Sequence, residues 1–108
     1  MSFGSGTVEE FGFGEIEKVR EASFYFSEMS GILGLGYEKM SVNNLPTFID
    51  NSNLSSKSFS FLLRNNPDES YMTVPGYDEE LVNKHNAKFT FHDVAEKMYY
   101  SLNMPYIS

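Results

Sequence analysis

Residues 30–37 read Ser30-Gly31-Ile32-Leu33-Gly34-Leu35-Gly36-Tyr37, the stretch from which the fold class is inferred. The adjacent branched apolar residues Ile32 and Leu33 are typical of a strand that is buried on both faces. Gly34 and Gly36 permit a close approach of the backbone that a Cβ would block. The stretch therefore predicts a buried strand over residues 32–35, in which Gly34 tolerates no side chain.

Outward from this stretch, strand patterns dominate the chain. Alternating or apolar-aromatic runs predict strands at residues 24–26, 58–63 and 88–91. One short helix is expected over residues 45–53, where Pro46 fits the first turn and Leu45, Phe48 and Ile49 share one apolar face that packs on the sheet. Turn residues at 65–68 and 75–78 predict reversals, and residues 79–83 favour a second helical turn.

The ordered series of segments resembles the pepsin-like aspartic protease family. Residues 30–36 are similar to its hydrophobic-hydrophobic-Gly element, residues 13–17 to the preceding strand, and residues 45–51 to the following helix. Residues 58–63, 76–78, 91–94 and 99–102 are similar to later parts of the first lobe, so the resemblance covers residues 11–104. It implies a mostly β fold: a partial lobe of a pepsin-like acid protease β-barrel with one or two short helices, forming a single partial peptidase domain over residues 1–108.

The family's catalytic motif is absent from this sequence. Aspartic proteases use two carboxylates that share a proton and activate a water molecule, each in an Asp-Thr-Gly or Asp-Ser-Gly turn. None of the four aspartates, Asp50, Asp68, Asp78 and Asp93, lies in such a turn. The resemblance places the first catalytic Asp upstream of Met1 and the second beyond Ser108. We therefore expect a fragment with no catalytic residue that is inactive alone.

The resemblance implies an aspartic-type endopeptidase that acts on polypeptides, with a non-catalytic peptide-binding or structural remnant as the alternative. Phe3-Gly4-Ser5-Gly6 is similar to the flap tip that covers substrate, although Phe3 lacks the hydroxyl of the family's Tyr. The segment before the hydrophobic-hydrophobic-Gly element borders the cleft in the family. The implied substrate-binding residues are Phe3, Gly4, Ser5, Phe24, Met29 and Ile32, with Phe26 beside them. Ordinary core packing is the alternative for Phe24, Phe26 and Met29.

Composition limits the other classes of function. The 108 residues suffice for one domain, and 41% apolar content argues against disorder. A net charge of −7 without a Lys/Arg cluster opposes nucleic-acid binding, and no apolar run is long enough to span a membrane. Cysteine is absent, so disulfides are excluded. Residues 1–10 lack the pattern of a secretory signal, whereas the resemblance implies a secreted or lysosomal/vacuolar protein.

The sequence contains further motifs that relate to modification, metal and catalytic sites. Asn53-Leu54-Ser55 is an N-glycosylation sequon in a polar segment. His92 and Glu96 have a metal-ligand spacing, and Ser5, His92 and Asp93 are triad residue types, but their contexts favour structural roles. Neither a metal nor a cofactor is expected. The apolar edges at residues 32–35 and 59–63 predict self-association, because strands without partners template it.

Overall fold

The computed structural model describes residues 2–3, 6–20 and 28–107. Its regular elements are short and the strands pair antiparallel. The strands are β1 (Ser2–Phe3), β2 (Gly6–Thr7), β3 (Ser60–Leu62) and β4 (Tyr71–Thr73), and the α-helices are α1 (Phe48–Asn51) and α2 (Glu79–Lys84). Three 3-10 helices occupy Glu38–Met40, Val42–Asn44 and Pro67–Glu69. The chain is a mostly β partial lobe with short helices, as the sequence predicted.

The core lies where the start of the chain meets α1. Val8, Phe48 and Ile49 are its buried apolar residues, and Val8 is only 1% exposed. The rings of Phe11 and Phe48 meet edge to face, with their centroids 6.0 Å apart. Four further apolar side chains pack on this cluster: Leu35, Leu54, Phe59 and Val74. The core thus joins the N-terminal segment to the middle of the chain.

Helix α1 lies inside the range predicted for it. Thr47 is the N-cap, and it forms a capping box with Asp50 in which each side chain binds the other residue's backbone N–H. Because the cap falls at Thr47, Pro46 precedes the helix instead of starting it, and Leu45 is exposed. Phe48 and Ile49 form the buried face. The predicted helix is confirmed in a shorter form.

The strand predicted at residues 58–63 is confirmed as β3. It pairs with β4 in the register Ser60↔Thr73, Phe61↔Met72 and Leu62↔Tyr71. The reversal between them is built at the predicted turn, where the Asn66 side chain caps the 3-10 helix Pro67–Glu69. The predicted second helical turn is α2, and its N-cap Asp78 accepts a hydrogen bond from the Leu81 amide.

The buried strand predicted at residues 32–35 is wrong for this structure. Ile32 is 70% exposed and Leu33 is 50% exposed, and residues 28–35 belong to no helix or strand. A Cβ built on Gly34 meets no atom within 4 Å, so the expected close approach is absent. The physical reason is that a strand buried on both faces needs neighbouring strands, and the described residues supply only two separate two-stranded sheets.

Three other strands were predicted, at residues 13–17, 24–26 and 88–91. Residues 13–17 and 88–91 also lie outside the helices and strands. The aromatic run at residues 24–26 lies outside the described residues. Within the described part of the chain, no helix is long and apolar enough to cross a membrane.

Candidate peptide-binding cleft

The antiparallel pair of β1 and β2 near the start of the chain is here called the N-terminal hairpin. Strands β1 and β2 pair with Phe3 opposite Gly6 and Ser2 opposite Thr7. Phe3, a predicted substrate contact, therefore ends the first strand of the hairpin. Gly4 and Ser5, predicted with it, lie between the two strands and outside the described residues. A hairpin at this place is the geometry that the Phe-Gly-Ser-Gly resemblance implies, although the contact of these residues with a substrate stays a prediction.

The hairpin is fastened to the segment that follows α1. The Thr7 amide donates a 2.8 Å hydrogen bond to the Asn53 side-chain oxygen, and the Asn53 amide donates a 3.2 Å bond to the Thr7 carbonyl. Val8 forms an isolated antiparallel bridge with Ser52. Burial of Val8 against Phe48 and Ile49 adds apolar packing to these polar bonds. Sequence reasoning missed this junction because its two halves are far apart in the chain.

An open cavity of about 1100 Å³, here called the apolar groove, lies beside the core. Its apolar side chains include Phe13, Ile16, Ile32 and Leu33, which are largely exposed. The lining segments are residues 11–16, 30–34, 36–37, 40–41 and 46–48. Neither residues 11–16 nor residues 30–34 belong to a strand. Backbone that lies outside any sheet, together with apolar side chains, suits the recognition of an extended polypeptide.

The apolar groove contains one of the predicted substrate-binding residues. Ile32 lines it. Met29 is 64% exposed but is not part of the lining. Phe24 and Phe26 lie outside the described residues. The structure therefore places Ile32 in a cleft and assigns no position in it to the other predicted contacts.

A second cavity of about 560 Å³, here called the polar cavity, shares Gly36 and Tyr37 with the apolar groove. Lys39, Lys57, Lys97 and Asp50 line it. The Lys39 ammonium lies 3.6 Å from the Glu96 carboxylate. The Tyr100 hydroxyl donates a 2.5 Å bond to the Leu35 carbonyl, and its ring stacks at a tilt on Tyr37 with 4.9 Å between centroids. No sequence motif pointed to this cavity, because its residues come together only in the fold.

Burial is the main cause that raises the pKa of the Tyr100 hydroxyl above its ordinary value, and nearby Tyr37 and Asp50 add to the effect. The hydroxyl therefore stays protonated at physiological pH and acts as a hydrogen-bond donor. Its bond to Leu35 ties residues 99–100 to the end of the hydrophobic-hydrophobic-Gly stretch.

The carboxylates of two aspartates accept hydrogen bonds from residues close to them in the chain. The Thr47 side chain and backbone donate to the Asp50 carboxylate and hold its pKa below the ordinary value. The Tyr71 hydroxyl donates a 2.5 Å bond to Asp78, and together with the helix amides it lowers the pKa of that carboxyl. Both groups stabilise helix N-termini while ionised. Among the described residues, no group of three or more His, Cys, Asp or Glu could hold a metal ion.

The fold defines a class of structure, a mostly β partial lobe of aspartic protease type. The chain belongs to the eukaryotic aspartyl protease family, whose family model matches residues 1–108. It is 31% identical to cathepsin D from Bos taurus over 94% of its own length and 27% of that protein. It is also 27% identical to vacuolar protease A from Neurospora crassa, over 95% of this chain and 26% of the relative. The chain thus spans about a quarter of the curated relatives that it matches.

Proposed function

We propose that residues 1–108 form one partial peptidase domain that supplies part of the peptide cleft of an aspartic-type endopeptidase. Family membership supports a role in proteolysis. The observation that carries the proposal is the apolar groove, which combines exposed apolar side chains with backbone outside any sheet. An extended polypeptide satisfies both features, because its main chain pairs with free backbone groups and its alternate side chains fill apolar space.

Substrate contacts in this proposal come from two sides. The hairpin contributes Phe3, Gly4 and Ser5. Phe24, Met29 and Ile32 contribute apolar contacts, and the position of Ile32 in the groove supports this assignment. Similarity to vacuolar protease A supports a vacuolar compartment for this chain.

Binding without cleavage is the behaviour we propose for the 108 residues by themselves. Peptide hydrolysis by this chemistry needs two carboxylates that share a proton, each in an Asp-Thr-Gly or Asp-Ser-Gly turn. The sequence has no such turn. Asp50 and Asp78 are also engaged in helix capping. The alternative is a purely structural remnant, which would not bind peptide.

Peptide binding tests the proposal directly. A fluorescein-labelled acetylated peptide of alternating Val and Thr is titrated with the purified chain, and anisotropy is recorded. We expect saturable binding that Ile32→Asp weakens by roughly fivefold or more, equal to about 1 kcal/mol. Ile107→Asp is the matched control, because Ile107 is exposed and lies outside the groove. Equal affinities for the two variants, or no binding by the unaltered chain, would remove the groove from the proposal.

Cleavage is measured separately on a denatured protein substrate at pH 3 to 5. We expect no products. Cleavage that a statine-type transition-state analogue blocks would show that these residues form an active site, and it would overturn the proposed inactivity of the chain alone.

A further inference from the structure

The two polar atoms of the Asn53 side-chain amide have different surroundings. Its oxygen accepts the Thr7 amide hydrogen bond at 2.8 Å, which fastens the hairpin to the end of α1. Its nitrogen Nδ2 donates to no residue in the described part of the chain, and the Asn53 side chain is exposed. One end of the amide therefore belongs to the fold while the other faces solvent.

The residues around Asn53 fit a modification site. Asn53-Leu54-Ser55 is the one Asn-x-Ser/Thr sequon in the 108 residues. Asn53 and Ser55 are exposed, whereas Leu54 between them packs on the core. Residues 53–56 belong to no helix or strand. Attachment of a bulky polar group at Nδ2 therefore displaces neither core nor secondary structure.

We propose that Asn53 is an N-glycan acceptor whose carbonyl simultaneously latches the N-terminal hairpin. In the reaction, Nδ2 loses one proton and bonds to the anomeric carbon of an oligosaccharide. The bond between that carbon and the pyrophosphate oxygen of a lipid-linked sugar donor breaks, and the lipid pyrophosphate leaves. No oxidant or reductant is consumed. The product is still an amide, so Oδ1 keeps its lone pairs and its hydrogen bond to Thr7.

The glycan is tested by expressing the chain behind a secretion leader in a eukaryotic host. We expect a mass increase that a peptide N-glycosidase removes, and no increase in Ser55→Ala, which keeps Asn53 intact. Lys88→Ser creates an Asn86-Ala87-Ser sequon at exposed positions and serves as the positive control. Glycan on the control sequon but none on Asn53 overturns the modification, whether the chain is secreted or retained in the cell.

The latch is tested on chain made in bacteria, where no glycan is added. Removing the acceptor in Asn53→Ala should lower Tm by roughly 4–8 °C. Asn53→Asp retains an acceptor oxygen at the same place, so its Tm at pH 7 should be close to that of the unaltered chain. Ser55→Ala should also have the Tm of the unaltered chain. An unchanged Tm in Asn53→Ala overturns the latch while leaving the glycan result to stand separately.

Discussion

At the residue scale, Gly76 and Gly34 show two different uses of glycine. Gly76 has φ of +75°, in the left-handed region, and its amide donates to both the Ser58 carbonyl and the Ser58 hydroxyl at 3.1 Å. Gly34 has open space around a built Cβ and no positive φ. The backbone requires glycine at Gly76, and nothing in the structure requires it at Gly34.

Substitution of the two glycines by alanine separates these cases. Gly76→Ala should lower the free energy of unfolding by about 1 kcal/mol, because a Cβ in the left-handed region is strained even where space is available. Gly34→Ala, the matched control, should leave it unchanged. Urea titrations followed by circular dichroism give both values. If Gly34→Ala lowered the free energy of unfolding as much as Gly76→Ala, the close backbone approach predicted at Gly34 would be supported after all.

The Asp50 carboxylate makes the free energy of unfolding depend on pH in the acidic range. Because the hydrogen bonds from Thr47 lower its folded-state pKa below the ordinary 3.8, its contribution to stability is complete above that value. The contribution is lost as pH falls through the folded-state pKa. Asp50→Asn should therefore flatten the fall in stability below pH 4, whereas Asp93→Asn, at an exposed carboxylate, should not. Unfolding midpoints measured between pH 2 and 7 decide this, and equal slopes in all three proteins would contradict it.

At the element scale, helix α1 depends on its two ends. It has four residues, far fewer than a helix needs to be stable in isolation. The Thr47–Asp50 capping box satisfies its start. At its end the Lys57 ammonium donates to the carbonyls of Ile49 at 3.1 Å and Asp50 at 3.2 Å, and also to that of Ser52. A cation at this end also complements the helix dipole.

Removal of the Lys57 charge should loosen the core around Ile49. We expect Lys57→Met to cost about 1–2 kcal/mol of unfolding free energy, because three carbonyls lose a charged donor while the aliphatic stem is kept. Lys97→Met is the control, since Lys97 lines the same polar cavity without a described bond to α1. Chemical denaturation measures both variants. Equal stability of the two would show that water replaces the ammonium without loss.

The elements also show which features a sequence can predict. Helix α1, helix α2 and the turn at residues 66–69 were predictable because their caps, Thr47, Asp78 and Asn66, lie beside the residues that they cap. Strand formation at residues 32–35 depends on partners elsewhere in the chain, and the apolar pattern carries no information about them. The bond between Thr7 and Asn53 and the polar cavity were missed for the same reason.

The candidate site, too, is only partly predictable from local sequence. Ile32 was assigned to a cleft from the resemblance and lines the apolar groove. Met29, three residues earlier, does not line the groove. The sequence could not distinguish the two residues, because no local pattern specifies which exposed side chain faces a cavity.

At the scale of the whole molecule, sheet edges and charge together predict association. Within the described residues, β3 and β4 pair only with each other, so both outer edges of this sheet are open. Phe61 and Leu63 are exposed there. The net charge of −7 opposes contact near neutral pH and fades as carboxylates protonate near pH 4.

Light scattering should therefore increase from pH 7 towards pH 4 to 5. Leu63→Lys should reduce this increase, because a charge at the strand edge blocks pairing. Ile107→Lys adds the same charge at an exposed position that belongs to neither β3 nor β4, and it is the control. Uniform monomers across the range would show that the open edges are inert, and an equal effect of both lysines would assign the association to net charge alone.

The bond between the N-terminal hairpin and the segment that follows α1 affects the order in which the chain folds as it is made. Thr7 and Asn53 lie 46 positions apart, and Val8 is buried in the cluster that contains Phe48 and Ile49 of α1. On a ribosome, the first strands must wait until the helix has emerged before their apolar side chains are covered. Contacts of such long range also slow folding. The nascent chain therefore passes through a period in which Val8 and Phe11 are open to chaperones.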